Sequence, residues 1–194
     1  MKGSSSRTPT SRTSAAAAKA STFEVLKNHF ELFGLTPAYA LDLDHLDRAY
    51  RDIQSHVHPD RFASAGDAER RASMQMTTQV NEAHRTLKSP VQRARYILEL
   101  NGVDVGFETN TAMPADFLTE QMELREALEG ARDADALGAL ERKIFEDKQV
   151  IEAQIAQRID VARDYRGAAD LVRKHMFLDK LDEEINAAYE ELDS

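Results

Sequence analysis

The chain has 194 residues, with 34 acidic against 25 basic side chains for a formal charge of −9, and neither cysteine nor tryptophan. That length suits one large domain or two small ones. The missing cysteine excludes disulfides, a catalytic thiol, Cys-held zinc and thiolate-held iron–sulfur clusters within the chain, and no apolar run reaches the length of a membrane span. Charge is uneven: residues 114–194 hold 11 basic and 21 acidic side chains, residues 1–113 hold 14 and 13. The acidic half repels phosphates, so no nucleic-acid partner is expected.

Residues 1–22 read as a disordered basic tail. Up to Ala20 they hold no acid and no large apolar residue beyond Met1, so they have nothing to bury against the entropy of ordering. Their composition is also that of a mitochondrial transit peptide, which needs an apolar helical face this tail lacks. A cytoplasmic, bacterial location is the expectation, with the mitochondrial matrix as the alternative.

Beyond the tail the signals are helical, and no run alternates as a strand would. A short helix is expected near Phe23–Phe33, closed by Gly34. Asp42 reads as the N-cap of a helix through Leu43–Val57. Its apolar residues Leu43, Leu46, Tyr50, Ile53 and Val57 step by three and four along one face, and Pro59 stops it. A helix from Asp67 to about Lys88 carries Met76, Val80, Ala83 and Leu87 as its stripe. Ser89-Pro90 then reads as an N-cap with proline at the first helical position. The stretch Asn101–Met113, rich in Asn, Gly, Thr and Asp, reads as a linker at 102–113. After it come three helices. Pro114 opens the first, with Phe117, Leu124 and Leu128 on one face. Asp133 or Asp135 caps the second, which carries Leu137, Leu140, Ile144, Ile151, Ile155 and Ile159. The third carries Leu171, Leu178, Leu181, Ile185 and Ala188. The predicted fold is all-α: a helical region at 23–101 joined to an antiparallel three-helix bundle at 114–194.

The chemistry concentrates in His58-Pro59-Asp60, in the loop between the two long amphipathic helices. Proline restricts the backbone shape of that loop. Asp60 is an anion able to accept a bidentate arginine from a partner, and His58 changes charge near neutral pH. Arg48, Arg51 and Arg61 could make a basic face beside it, the first two being three apart on one helical side. With Tyr50-Arg51 before the tripeptide, Arg61-Phe62 after it and Asn81-Glu82-Ala83 downstream, this arrangement resembles the J-domain of DnaJ-type co-chaperones.

Further blocks narrow the resemblance to the HscB family of iron–sulfur J-proteins. They are Phe30–Leu35, His58–Phe62, Arg95–Gly102, Phe117–Glu126 and Arg173–Leu181, in order along residues 28–194. The Gly/Phe-rich stretch and cysteine repeats of a general DnaJ do not occur, nor do the N-terminal Cys pairs of the longer animal forms. The basic tail departs from the compact bacterial form. The resemblance implies a non-enzymatic co-chaperone that binds an IscU-type scaffold through its C-terminal bundle. It would bring that scaffold to an HscA-type Hsp70 and stimulate the chaperone's ATPase, with His58, Pro59, Asp60, Arg48, Arg51 and Arg61 as the Hsp70-binding set.

At about 100° per residue, Leu124 and Leu128 lie within about 20° of Phe117, while Leu118 and Met122 fall roughly 100–140° away. Apolar residues off the core stripe, rimmed by Glu123 and Glu126, are candidates for a partner patch. Phe177 also falls off the centre of its own stripe. Leu118, Met122, Glu123, Glu126 and Phe177 form the expected scaffold-binding set. The competing reading packs Leu118, Met122 or Phe177 into the core, where apolar residues at helical spacing usually belong.

Other features carry less. His56 and His58, two apart, would sit on different helix faces with no third ligand nearby, so neither a metal nor a cofactor is expected. Acidic pairs such as Glu183-Glu184 and Glu190-Glu191 read as solvated faces. There is no Gly-x-Ser-x-Gly, P-loop or dinucleotide fingerprint. The alternatives to the co-chaperone reading are a J-protein with a different client and a structural helical adaptor.

Overall fold

A computed structural model describes residues 28–57, 66–106 and 115–192, and the elements run in the order α1 His29–Leu32, α2 Leu43–Val57, α3 Asp67–Lys88, α4 Pro90–Leu100, α5 Ala115–Gly130, α6 Ala134–Ala156, a π-helical turn Gln157–Ala162 and α7 Tyr165–Leu192. There is no strand among the described residues.

Local chemistry sets most of these boundaries. Asp42 Oδ1 accepts the His45 N–H at 2.9 Å and so starts α2. Ser89 Oγ accepts from Gln92 N at 3.4 Å, with Pro90 at the first helical position of α4. Each supplies an acceptor to an amide that the helix itself leaves free. Asp133, rather than Asp135, caps α6 by accepting from Ala136 N at 2.8 Å. Gly34 and Gly102 both take the left-handed conformation, at φ 67° and 72°, and both end their helices the same way. Leu35 N donates to Phe30 O at 2.9 Å and Val103 N to Leu98 O at 2.9 Å. These are Schellman closures, in which a residue without Cβ carries the positive φ.

Two expectations change. Asn28 is extended at φ −155° and its side chain caps α1 by accepting from Glu31 N, so no continuous helix runs from Phe23 to Phe33. The early part of the expected linker is not loose either, because Val105 is buried and Val103 half-buried. The tail, Pro59 and Pro114 lie outside the described residues.

In the first half α2 and α3 pair as a hairpin, closed over Leu46, Val80, Ala83 and Leu87, all fully buried. In the second half α5, α6 and α7 form the three-helix bundle. Leu137, Leu140, Ile144, Ile151 and Ile155 of α6, with Ile159 of the π turn, face Leu178, Leu181 and Ile185 of α7. The two halves pack on one another through α4, which lies against α3 and also against α7. Buried residues run almost all round α7, from Ala168 through Phe177 to Ile185, because α4, α5 and α6 all pack against it.

Candidate partner-binding site

The α2–α3 hairpin holds its ends in a defined geometry. Ser73 Oγ of α3 donates to Val57 O at 2.6 Å, and Thr77 Oγ1 to the same oxygen at 3.2 Å. The last carbonyl of α2 is thereby tied to its partner helix one residue before His58. Farther along, the Tyr50 ring stacks on His84 with centroids 4.0 Å apart, and its hydroxyl donates to Asn81 Oδ1 at 3.0 Å. Asp47 meets His84 Nε2 at 2.7 Å and Lys88 Nζ at 3.0 Å. Those two partners, His84 first, hold the Asp47 carboxyl below the usual carboxylate range.

His58, Pro59, Asp60 and Arg61 lie outside the described residues. Arg48 and Arg51 are exposed on α2, and neither pairs with a carboxylate among the described residues. Two exposed cations on the helix that precedes the tripeptide in the sequence suit an acidic surface.

The second candidate surface is on α5. Leu118 and Met122, one turn apart, are 47% and 64% exposed, and Glu123 and Glu126 beside them are exposed too. Phe177 does not join this surface. It is 8% exposed, edge-on to Phe117 with ring centroids 5.9 Å apart. The Arg125 guanidinium lies over its ring at 5.7 Å and Lys174 Nζ over Phe117 at 5.8 Å. The expectation that Phe177 sits off the core is thus corrected: α5 covers it. Lys174 also pairs with Glu120, and Arg125 approaches Glu184 at 3.6 Å. The aromatic pair and its cations fix α5 to α7, with Leu118 and Met122 turned to solvent.

A third group, not visible in the sequence, lies within the bundle and between the halves. His175 is 3% exposed between two carboxylates: Nε2 is 3.1 Å from Glu152 Oε1, and Nδ1 is 3.3 Å from Asp179 Oδ2, though poorly aligned for a hydrogen bond. Burial pulls its pKa down, but Asp179 and Glu152 outweigh that and leave it above the ordinary histidine value. Lys148 reaches Asp179 at 2.7 Å and Asp182 at 2.6 Å. Within the first half, next to the junction, the Arg93 guanidinium of α4 lies 5.0 Å over the Tyr39 ring, and both residues are buried. Arg93 Nη1 donates to Leu87 O at 2.7 Å. Asp160 of the π turn accepts Tyr39 N on Oδ1 and Ala40 N on Oδ2, each at 2.8 Å. No local sequence signal announces a pairing of residues 121 apart.

A helical hairpin whose two helices flank the sequence His58-Pro59-Asp60, packed through a further helix onto an acidic three-helix bundle, defines a J-protein with a C-terminal helical module. The comparisons make this particular. Residues 113–186 match the family described as the HSCB C-terminal oligomerisation domain. A co-chaperone protein HscB homologue of Burkholderia mallei is 48% identical over 169 residues, 86% of this chain and 96% of the relative. Chaperone HscB from Vibrio cholerae superposes with a TM-score of 0.75 at 37% identity, covering 85% of this chain and 99% of that one. Human co-chaperone HscB superposes at 0.81 with 25% identity, covering 85% and 83%. The chain belongs to the HscB co-chaperone family. Among the described residues, no helix is long and apolar enough to cross a membrane.

Proposed function

We propose that this protein carries an IscU-type iron–sulfur scaffold on its bundle, delivers it to an HscA-type Hsp70 and stimulates that chaperone's ATPase, so promoting transfer of the cluster to acceptor proteins. The J-domain spans 23–101 and the scaffold-binding bundle 114–194. The protein has no catalytic activity of its own and works in the bacterial cytoplasm. The cluster is cargo of the scaffold, with which this cysteine-free chain has no thiolate to compete.

His58, Pro59 and Asp60, with Arg48, Arg51 and Arg61, meet the chaperone; Leu118 and Met122, rimmed by Glu123 and Glu126, meet the scaffold. Phe177 supports that surface from beneath through Phe117. The observation that carries the reading is the solvent-turned Leu118–Met122 pair on a bundle joined to a J-type hairpin, in a chain 48% identical to a co-chaperone along most of its length. A co-chaperone needs two surfaces that two partners can occupy at once. An exposed apolar pair with an acidic rim has the character of a small protein interface.

Single-turnover ATP hydrolysis by the cognate HscA-type chaperone tests the proposal. This protein and the scaffold are added separately and together, with His58→Gln as the control. Stimulation should need His58 and rise beyond the sum when scaffold is present. Stimulation without that synergy would move the client to another protein. No stimulation by a folded chain would leave a structural adaptor.

A further inference from the structure

The acidic half has one stretch of surface that is almost free of charge. Helix α6 packs against α7, the π turn and α5. Away from those contacts, Gln149, Val150, Ala153, Gln154, Gln157 and Val161 are exposed. Gln149, Ala153 and Gln157 step by four along one side of the helix, with Val150 beside them. Val150 is 57% exposed and Val161, in the π turn, 69%. Phe145 stands one turn before Gln149 and is 62% exposed. Between Gln149 and Ala162 the single exposed charge is Arg158, which pairs with Asp164.

The rest of the bundle surface is different. Arg166, Asp170, Lys180, Glu183, Glu190 and Glu191 stand exposed on α7, and Asp116, Glu123, Glu126 and Glu129 on α5. With 21 acids against 11 bases in residues 114–194, two copies of this half repel wherever those faces meet. They do not repel across the α6 stretch, and its chemistry is self-complementary. A glutamine amide carries both a donor and an acceptor and so pairs with the same group on a second copy, which an ionised carboxylate cannot do. Val150 and Phe145 gain by being covered. A two-fold axis near Val150 and Ala153 sets α6 antiparallel to itself and lays the stretch on its own copy. The matched family domain, residues 113–186, is described as one of oligomerisation and contains the whole stretch.

We propose that this face of α6 docks a second copy of the chain, giving an isologous dimer. One helix stripe is a small interface, below the size of stable dimers, so the pairing is transient and concentration-dependent. It uses neither Leu118 and Met122 nor the α2–α3 hairpin, and it stands independently of the function proposed above. There is no ion pair across it, and each copy carries a formal charge of −9. Association therefore strengthens as salt rises, because screening removes the repulsion between copies.

Sedimentation velocity of the full chain over rising concentration tests this. The weight-average mass should climb from one copy toward two, and climb further in high salt than in low. Val150→Glu and Val150→Lys, at an exposed position, should each raise the dimer dissociation constant about tenfold or more, since either charge meets itself across a two-fold axis. An equimolar mixture of the two variants should associate again. The chain has no native cysteine, so Ala153→Cys should give a disulfide-linked dimer on mild oxidation. Gln75→Cys on α3, also exposed, should give far less. A mass that stays at one copy throughout overturns the proposal; if Val150→Glu then weakens binding of the IscU-type scaffold, that protein is the occupant instead. Association unchanged in both Val150 variants puts the contact between copies elsewhere and overturns it too. So does a mixture that fails to associate when circular dichroism shows each variant folded.

Discussion

Replacing Phe177 by alanine separates a supporting role from a binding one. The ring is 8% exposed, edge-on to Phe117 and under the Arg125 guanidinium. Truncating a buried phenylalanine to alanine costs about 3–5 kcal/mol, and loss of the aromatic pair lies within that range. Against a total stability of about 5–15 kcal/mol for a protein of this kind, Phe177→Ala should move the urea midpoint far down. Helix α5, which rests on this pair, should loosen first. Met122→Ala removes a side chain 64% exposed and should change stability by no more than about 0.5 kcal/mol. If Met122 is a centre of the scaffold interface, the same change should weaken binding about tenfold or more. Urea unfolding followed by circular dichroism, beside titration with the scaffold, gives both numbers for each variant. Phe177→Ala with a stability loss under about 1 kcal/mol and a lost scaffold affinity would refute the supporting role and return Phe177 to the interface.

Three further outcomes are expected. His175, flanked by Glu152 and Asp179, has a folded pKa above its unfolded value. Its contribution is therefore complete below about pH 6.5 and is lost as pH rises through the folded pKa. The stability gap between the unaltered chain and His175→Gln should shrink from pH 6 toward pH 9, and a constant gap in denaturation curves would contradict this. Asp133→Ala should cost about 1 kcal/mol through loss of the α6 cap, whereas Asp135→Ala should cost only about 0.3 kcal/mol from the helix dipole; equal losses in thermal unfolding would undo the cap assignment. The helix-interior Gly138 has room for a methyl, since its nearest neighbour would be Tyr189 Oη at 3.4 Å. A methyl on Gly167 would collide with the Asp164 carboxylate and the Arg158 guanidinium. Gly138→Ala should stabilise by about 1 kcal/mol, and Gly167→Ala should show no such gain.

What the sequence makes legible here is what is local. The bounds of α2, α3 and α4 follow from Asp42, Gly66-Asp67 and Ser89-Pro90 together with one apolar stripe each, and the structure places them at Leu43–Val57, Asp67–Lys88 and Pro90–Leu100. Leu118 and Met122 are legible as solvent-facing because α5 has a single covered face. The same reasoning fails for Phe177 because α7 is packed by α4, α5 and α6. A residue off the centre of one stripe there falls under another neighbour, and a single-helix projection cannot register a second covered face. Asp133 and Asp135 are equivalent by type and differ only in which carboxylate reaches a free amide. Asp160, Tyr39 and Arg93 are hidden for a stronger reason: their meaning lies in pairings between distant segments, and the π turn that aims Asp160 has no compositional signature.

The junction between the halves sets polar groups beside one apolar core that runs through both. A buried ion or hydrogen-bonding group must first recover its desolvation. Arg93 and Tyr39 are buried beside the junction, and Arg93 Nε and Tyr39 Oη find no hydrogen-bond partner among the described residues. Burial lowers the Arg93 pKa and, with the nearby Glu152 carboxylate, raises that of the Tyr39 phenol. A protein that only had to keep two binding modules near each other would be served by a flexible linker. Here the halves share a packed core, and Asp160 accepts two consecutive amides of the α1–α2 connection, so the joint is a built contact and not a tether.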